Sequence, residues 1–367
     1  MTPIRVLVVD DSVVVRRLVT DALSRDPAVE VVGVAANGRL ALAKVDQLAP
    51  DVVTMDIEMP EMDGIEAVRT LRREGHKMPI IMFSTMTERG AAATLDALSA
   101  GAQDYVTKPA NVGSVQESLK QVADNLLPKI KALAARAPGR LAVRASAAVV
   151  PTARTRPAPQ RPEPAAHPIR AVVLGSSTGG PEALSKFVVG LSHPPSVPVL
   201  VVQHMPPVFT RQLAARLDRL GPASVVEAEA GMELRPGTVY IAPGDRHLEV
   251  QRYKGVVRTA LTDGPPVNFC RPAVDVLFES AVRTFGGELL GVILTGMGAD
   301  GRTGCQRLVD GGGTVIVQDE RTSVVWGMPG AVATAGLAHR VLPLGDVAPT
   351  VERLLAAAPV LARGGVS

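Results

Sequence analysis

Short apolar runs rich in β-branched residues recur through two blocks of this chain, each followed by a longer stretch with helical spacing. That alternation leaves little room for anything but parallel α/β sheets. Between residues 4 and 125 the runs are "IRVLVV", "VEVVGVA", "PDVVTM", "MPIIMFS" and "DYVTK". Five strands with helical spacers predict a doubly wound, five-stranded parallel sheet over residues 1–125. A second set, "IRAVVLG", "VPVLVVQ", "TVYIAP", "GVILTG" and "TVIVQD", predicts another α/β domain over residues 169–358, Rossmann-like with a mostly parallel sheet.

The stretch between the blocks, residues 126–168, reads as a linker rich in Pro, Ala and Arg, with "PTARTRPAPQRPEPAAHP" at its core. So much proline with so few large apolar residues favours an extended, semi-rigid spacer. Charge divides the chain along nearly the same boundaries. Residues 1–128 carry 13 basic and 18 acidic side chains (net −5), residues 129–170 carry 9 and 1 (net +8), and residues 171–367 carry 17 of each (net 0). The basic segment is either a solvated spacer or a weak docking patch for an acidic partner.

The N-terminal "MTPIRVLVVDDS" is too short in its apolar run and too acidic for a secretory leader. No stretch approaches the roughly 18 apolar residues of a membrane helix. A soluble, cytoplasmic protein without membrane insertion is expected. Cys270 and Cys305 stand far apart with no C-x-x-C spacing, so buried or free thiols are expected rather than a disulfide framework or a zinc knuckle.

In an open parallel sheet, ligands bind beyond the carboxyl ends of the strands. In the first block those ends carry Asp10 and Asp11, then Asp56, then Ser84 and Thr85, then Lys108. Asp11 or Ser12 could merely cap a helix, and Asp56 could merely open a turn. Three carboxylates on one rim repel unless a cation holds them, and hard oxygen ligands suit Mg²⁺. A carboxylate beside Mg²⁺ and a lysine can accept a phosphoryl group.

With "VDDS", "TMDIEMPEMDG", "FST" and "VTKP", residues 1–125 resemble the receiver domains of response regulators in two-component systems. The resemblance implies a phosphoprotein in which a histidine kinase phosphorylates Asp56. It implies that Asp10, Asp11, Asp56 and the backbone carbonyl of Glu58 bind Mg²⁺. Ser84 and Lys108 would contact the phosphoryl group, and Tyr105 would be the aromatic that repositions on activation.

In the second block "GSSTGG" (175–180) follows the first strand and precedes a helix opened by Pro181. A phosphate loop needs G-x-x-x-x-G-K-[ST], but Pro181 and Glu182 follow the last glycine; a dinucleotide fingerprint fails at Ser177. G-x-S-x-G fits, with Ser177 exposed at a helix start, although a serine-rich helix cap would read the same way. A nucleophilic serine needs a base. Of six histidines only His204 directly follows a strong apolar strand, which places it on the same rim. Asp300 and Asp319 both lie beyond strand ends, and the glycine-rich loop around Asp300 favours it as the acid that orients His204. Backbone N–H groups around Thr178 would hold the oxyanion.

With "GSSTGG", "VVQHMP", "YIAPG", "RPAVDVLF" and "ILTGMGADG", residues 169–355 resemble the catalytic domain of chemotaxis protein-glutamate methylesterases. The resemblance implies a hydrolase that removes methyl esters from glutamates of methyl-accepting chemotaxis receptors. It also implies glutamine deamidase (protein-glutamine glutaminase) activity on the same receptors, with no cofactor in this domain. Ser177, His204 and Asp300 would be the catalytic triad, with Thr178 and Met297 lining the site. Ser176 stands where the family usually has alanine, which leaves open which serine attacks. Phosphorylation of Asp56 is expected to relieve a restraint on hydrolysis at Ser177. The competing reading is a non-enzymatic response regulator whose output domain binds receptors or nucleic acid. A nucleic-acid output should show a basic face, which a net charge of zero over residues 171–367 does not offer, so no nucleic-acid partner is expected.

Overall fold

The computed structural model describes residues 2–109, 114–135, 160–162 and 167–359. Most of the sequence-defined linker lies outside the described residues. The chain divides into two compact units near residue 152.

The first unit alternates β1 (Ile4–Val9), α1 (Val13–Leu23), β2 (Val29–Ala35), α2 (Gly38–Leu48), β3 (Val52–Asp56), α3 (Gly64–Arg73), β4 (Ile80–Ser84), α4 (Glu88–Ser99), β5 (Asp104–Thr107) and α5 (Val115–Ala134). The strands pair in parallel in the order β2-β1-β3-β4-β5, the doubly wound sheet expected from the sequence. β3 and β4 are buried along their whole length, as an all-parallel sheet covered on both faces requires. Each helix starts on a polar cap: Ser12, Asn37, Asp63, Thr87 and Ser114 accept a backbone N–H three residues on. Each such cap stabilises its helix by about 1 kcal/mol. α5 continues through Ala134, past residue 125 where the sequence reading ended the domain, because Leu126, Ile130 and Leu133 extend its buried face.

The second unit runs β6 (Ala171–Ser176), α6 (Gly180–Val189), β7 (Val199–Gln203), α7 (Phe209–Leu217), β8 (Ser224–Glu227), β9 (Thr238–Ile241), β10 (His247–Tyr253), β11 (Val256–Thr262), α8 (Val274–Phe285), β12 (Leu289–Ile293), α9 (Arg302–Asp310), β13 (Thr314–Gln318), α10 (Met328–Thr334), β14 (Arg340–Leu342) and α11 (Leu344–Ala357). Seven strands form one sheet in the order β14-β13-β12-β6-β7-β9-β8, every pair parallel. From β6 the chain first builds toward β7 and later returns to build on β12. The strand order therefore switches direction between β6 and β12, where ligand crevices form. β10 and β11 make a separate antiparallel ribbon that sequence reading missed; its strands carry charged residues on the open side and pack on α8 through Ser280, which accepts the Val250 N–H at 3.1 Å.

Two glycines fix close approaches. A Cβ at Gly180 would sit 1.9 Å from Gln203 Oε1, so a side chain there would push the Gln203 amide out of its hydrogen bond with Ser176 where α6 starts against β7. A Cβ at Gly64 would sit 1.9 Å from the Asp56 carbonyl oxygen, where α3 begins against the end of β3. The Gly64→Ala variant should therefore be destabilised by about 1–3 kcal/mol. A urea titration followed by circular dichroism should show an earlier first transition, and an unchanged midpoint would contradict this packing.

Candidate functional site

Two sites stand at the carboxyl ends of the two sheets. In the first unit, β1 delivers Asp10 and Asp11, and β3 ends on Asp56, at the β1/β3 switch point of the sheet. Carboxylate oxygens of Asp10, Asp11 and Asp56 lie within 4.8 Å of one another. Lys108, just past β5, places Nζ 2.9 Å from both Asp10 Oδ2 and Asp56 Oδ1. Burial pushes the Asp56 carboxyl up, the Lys108 hydrogen bond pulls it down and the Asp10 charge pushes it up again, leaving it at about 6. Asp10 Oδ2 is buried, and its contact with Lys108 lacks hydrogen-bond geometry. A buried carboxylate oxygen so placed, among three converging acids, fits a hard divalent cation such as Mg²⁺.

Asp11, Asp56, Glu58, Ser84, Thr85 and Lys108 line a cavity of about 200 Å³ over this cluster. The Glu58 carboxylate turns to Arg89 at 3.3 Å. Ser84 Oγ faces the carbonyls of Thr85 and Gly90 at 3.3 and 3.2 Å rather than Asp56. The Tyr105 ring is buried, with Lys129 Nζ 5.5 Å from its centroid.

In the second unit the strand register does the assembling. Ser176 pairs with Gln203 across β6 and β7, and the His204 N–H donates to the Ser176 carbonyl at 3.1 Å, so Ser177 and His204 leave adjacent strand ends together. On its other side the Ser177 N–H donates to the Thr295 carbonyl at 3.0 Å, in the β6/β12 crevice. Gly179 then turns the chain in the left-handed region (φ 75°) and α6 begins.

The structure separates the two serines. Ser176 is fully buried and its hydroxyl donates to Gln203 Oε1 at 2.7 Å, whereas Ser177 is half-buried at the rim. Thr178 is buried, with its carbonyl accepting from Thr295 Oγ1 at 2.9 Å, and Met297 is half-buried in the loop after β12.

His204 Nε2 lies 2.8 Å from Asp300 Oδ2. Asp300 is buried and gathers four further donors: the N–H groups of Val274 (2.6 Å), Asp275 (3.1 Å) and Gly301 (3.0 Å), and Asn268 Nδ2 (2.9 Å). Two of these belong to the first turn of α8, whose dipole also favours an anion. Burial raises the Asp300 pKa, but His204 and these donors outweigh it and hold the carboxyl below its ordinary value. For His204, burial lowers the pKa, and the hydrogen bonds to Asp300 and Cys270 outweigh it, so the imidazole is pushed up to about 9. Asp319, the rival acid, instead caps its own turn by accepting the Thr322 N–H at 2.9 Å.

Sequence reading missed the turn Val267–Cys270. Val267 and Cys270 exchange backbone hydrogen bonds at 3.0 and 2.9 Å, with Asn268 (φ 51°) and Phe269 (φ 63°) between them. That is a two-residue turn of the type that favours Asn followed by Gly. A side chain other than Gly or Asn in the left-handed region costs about 1–2 kcal/mol. The turn places Asn268 Nδ2 between Asp300 and Asp275 and brings Cys270 Sγ 3.6 Å from His204 Nδ1. Cys270 is a free thiol, as expected, but nothing in its spacing announced that it would stand against the imidazole.

The sequence matches the CheB methylesterase family over residues 172–351 and the response regulator receiver domain family over residues 6–120. It is 63% identical to a protein-glutamate methylesterase/protein-glutamine glutaminase of a Nocardioides species, across 97% of this chain and 96% of that one. A protein of the same description from Caulobacter vibrioides is 47% identical, across 95% of this chain and 97% of its own length. Among solved structures, the CheB methylesterase catalytic domain of Thermotoga maritima is 44% identical with a TM-score of 0.50, covering 51% of this chain and 98% of that domain.

The coupled imidazole and carboxylate set the pH behaviour of the site. If His204 is the base, kcat/KM for ester hydrolysis should rise with pH toward an apparent pKa near 9, because protonated His204 cannot accept a proton. Asp300→Asn removes the anion that raises it, so the limb should move to lower pH while the plateau falls; an unmoved limb would show that another group titrates.

Proposed function

Because the chain belongs to the protein-glutamate methylesterase/protein-glutamine glutaminase family, with a response-regulator receiver domain in front, we propose that Ser177, His204 and Asp300 carry its hydrolytic chemistry and that Asp56 accepts the activating phosphoryl group. The protein is a chemotaxis hydrolase: it removes methyl esters from glutamates of chemoreceptors and deamidates receptor glutamines. The observation that carries the residue assignment is the register that releases Ser177 and His204 from neighbouring strand ends, with Asp300 already on the imidazole.

With Nε2 committed to Asp300, Nδ1 is the nitrogen that takes the Ser177 proton, and at rest it faces Cys270. Ser177 Oγ attacks the γ-ester carbonyl while Nδ1 accepts its proton. Backbone N–H groups around Thr178, at the N-terminus of α6, hold the oxyanion, with Thr178 and Met297 lining the pocket. The protonated imidazole returns the proton to the leaving methoxide, releasing methanol. Water attacks the acyl-enzyme by the same relay and frees the glutamate. With a glutamine substrate the leaving group is ammonia. Asp300 stabilises the imidazolium and remains ionised, as its five partners favour.

At the first site Asp10, Asp11 and Asp56, with the Glu58 backbone carbonyl, would hold Mg²⁺, which when bound neutralises charge on the transferring phosphoryl group. Lys108 ion-pairs with the phosphorylated Asp56, Ser84 rotates from its backbone partners toward the phosphoryl oxygens, and Tyr105 repositions. A chemotaxis histidine kinase supplies the phosphoryl group, and the protein acts in the cytoplasm. No helix among the described residues is long and apolar enough to cross a membrane.

Methanol release from methylated receptor preparations, with and without a phosphodonor, tests both halves. Ser177→Ala should reduce turnover by a factor on the order of 10⁴ or more. Ser176→Ala should act chiefly on stability, and comparable catalytic losses in both variants would reassign the nucleophile. Asp56→Asn should abolish the stimulation by phosphodonor while basal turnover stays measurable.

A further inference from the structure

Phe269 is the most exposed large apolar side chain among the described residues, at 103% of its reference surface. It is the second central residue of the tight turn closed by Val267 and Cys270, where its left-handed backbone (φ 63°) is the conformation that suits glycine. The residue before it donates to Asp300 and Asp275, and the residue after it stands against the His204 imidazole. The turn that carries Phe269 is thereby fixed beside the His204–Asp300 pair by contacts of both flanking residues. Within the unit it buries nothing, and glycine would remove both the backbone strain and the exposed apolar surface. A bulky residue kept in so unfavourable a position points to a contact outside the folded unit.

We propose that Phe269 is a specificity-determining residue: its ring anchors the protein substrate by packing against an apolar side chain of the receptor, near in sequence to the esterified glutamate. The proposal rests on the hydrolase reading above. The methyl group of the ester is too small to cover a whole aromatic ring, whereas a polypeptide carrying the ester can. Contact of this kind is made equally before and during bond cleavage, so it acts on substrate affinity rather than on the chemical step.

The test uses the full chain with a phosphodonor and measures initial methanol release against methylated receptor concentration, for the wild type, Phe269→Gly and Phe269→Leu, with Ser177→Ala as the blank. Phe269→Gly should raise KM by about 10- to 100-fold, the loss typical of one buried aromatic anchor, with the effect falling on KM rather than kcat. Phe269→Leu should recover part of the affinity. Thermal unfolding of Phe269→Gly should occur at or above the wild-type temperature because glycine relieves the strain, which separates the result from misfolding. An unchanged KM, or a loss confined to kcat, would overturn the proposal. So would a rise in basal turnover without phosphodonor, which would assign the ring to a contact within this chain. If the wild type released no more methanol than Ser177→Ala, the hydrolase reading itself would fall, whatever Phe269 does.

Discussion

Parallel strand register is the constraint on which both sites depend. In a parallel ladder consecutive residues of neighbouring strands advance together at a spacing of about 4.8 Å, so residues that leave adjacent strand ends remain neighbours without further stabilisation. That is how positions 177 and 204 come to follow adjacent strand ends, and how Asp10 and Asp56 do so on the first sheet. The apolar interiors of the strands provide the cohesion, and the chemistry is confined to the first one or two residues beyond each strand.

On each rim the supply of donors decides how far the cost of charging a buried carboxylate is offset. Asp300 is held ionised by five donors, and its charge, together with the contact of Cys270, raises the pKa of His204. Asp56 has a weaker environment: one lysine shared with Asp10, a backbone N–H and a neighbouring negative charge. Its carboxyl is accordingly raised rather than lowered, the condition of a group that gains from a cation. The same residue type serves as a fixed orienting charge in one unit and as a reactive acceptor in the other, because the donor supply differs.

Much of this was legible in the sequence because it lies at strand ends. The β-branched runs located both sheets, and the polar residues after them located Asp10, Asp56, Lys108, Ser177 and His204. The glycine-rich loop pointed to Asp300, whose carboxylate lies 2.8 Å from the imidazole, whereas Asp319 caps its own turn. What stayed hidden came from residues whose position depends on long-range packing. Cys270 and Asn268 belong to a turn between the ribbon β10–β11 and α8, and no local periodicity relates that turn to a loop some thirty residues later. The ribbon itself was missed because its charged positions mask the alternation of its buried ones. The strand runs set the first domain at residues 1–125, and α5 extends beyond that point through Pro128 to Ala134.

The adjacency of Ser176 and Ser177 has a consequence for how this chain can vary. β6 is buried along its whole length and ends at Ser176, so the last strand position commits one serine to the interior while its neighbour, the first residue beyond the strand, stands half-buried at the rim. Inserting a single residue within β6 would move Ser176 to the rim position while leaving the glycines and the sequence "SS" in place. Such a chain would still read as a hydrolase by its motif, but the hydroxyl at the rim would belong to the other serine.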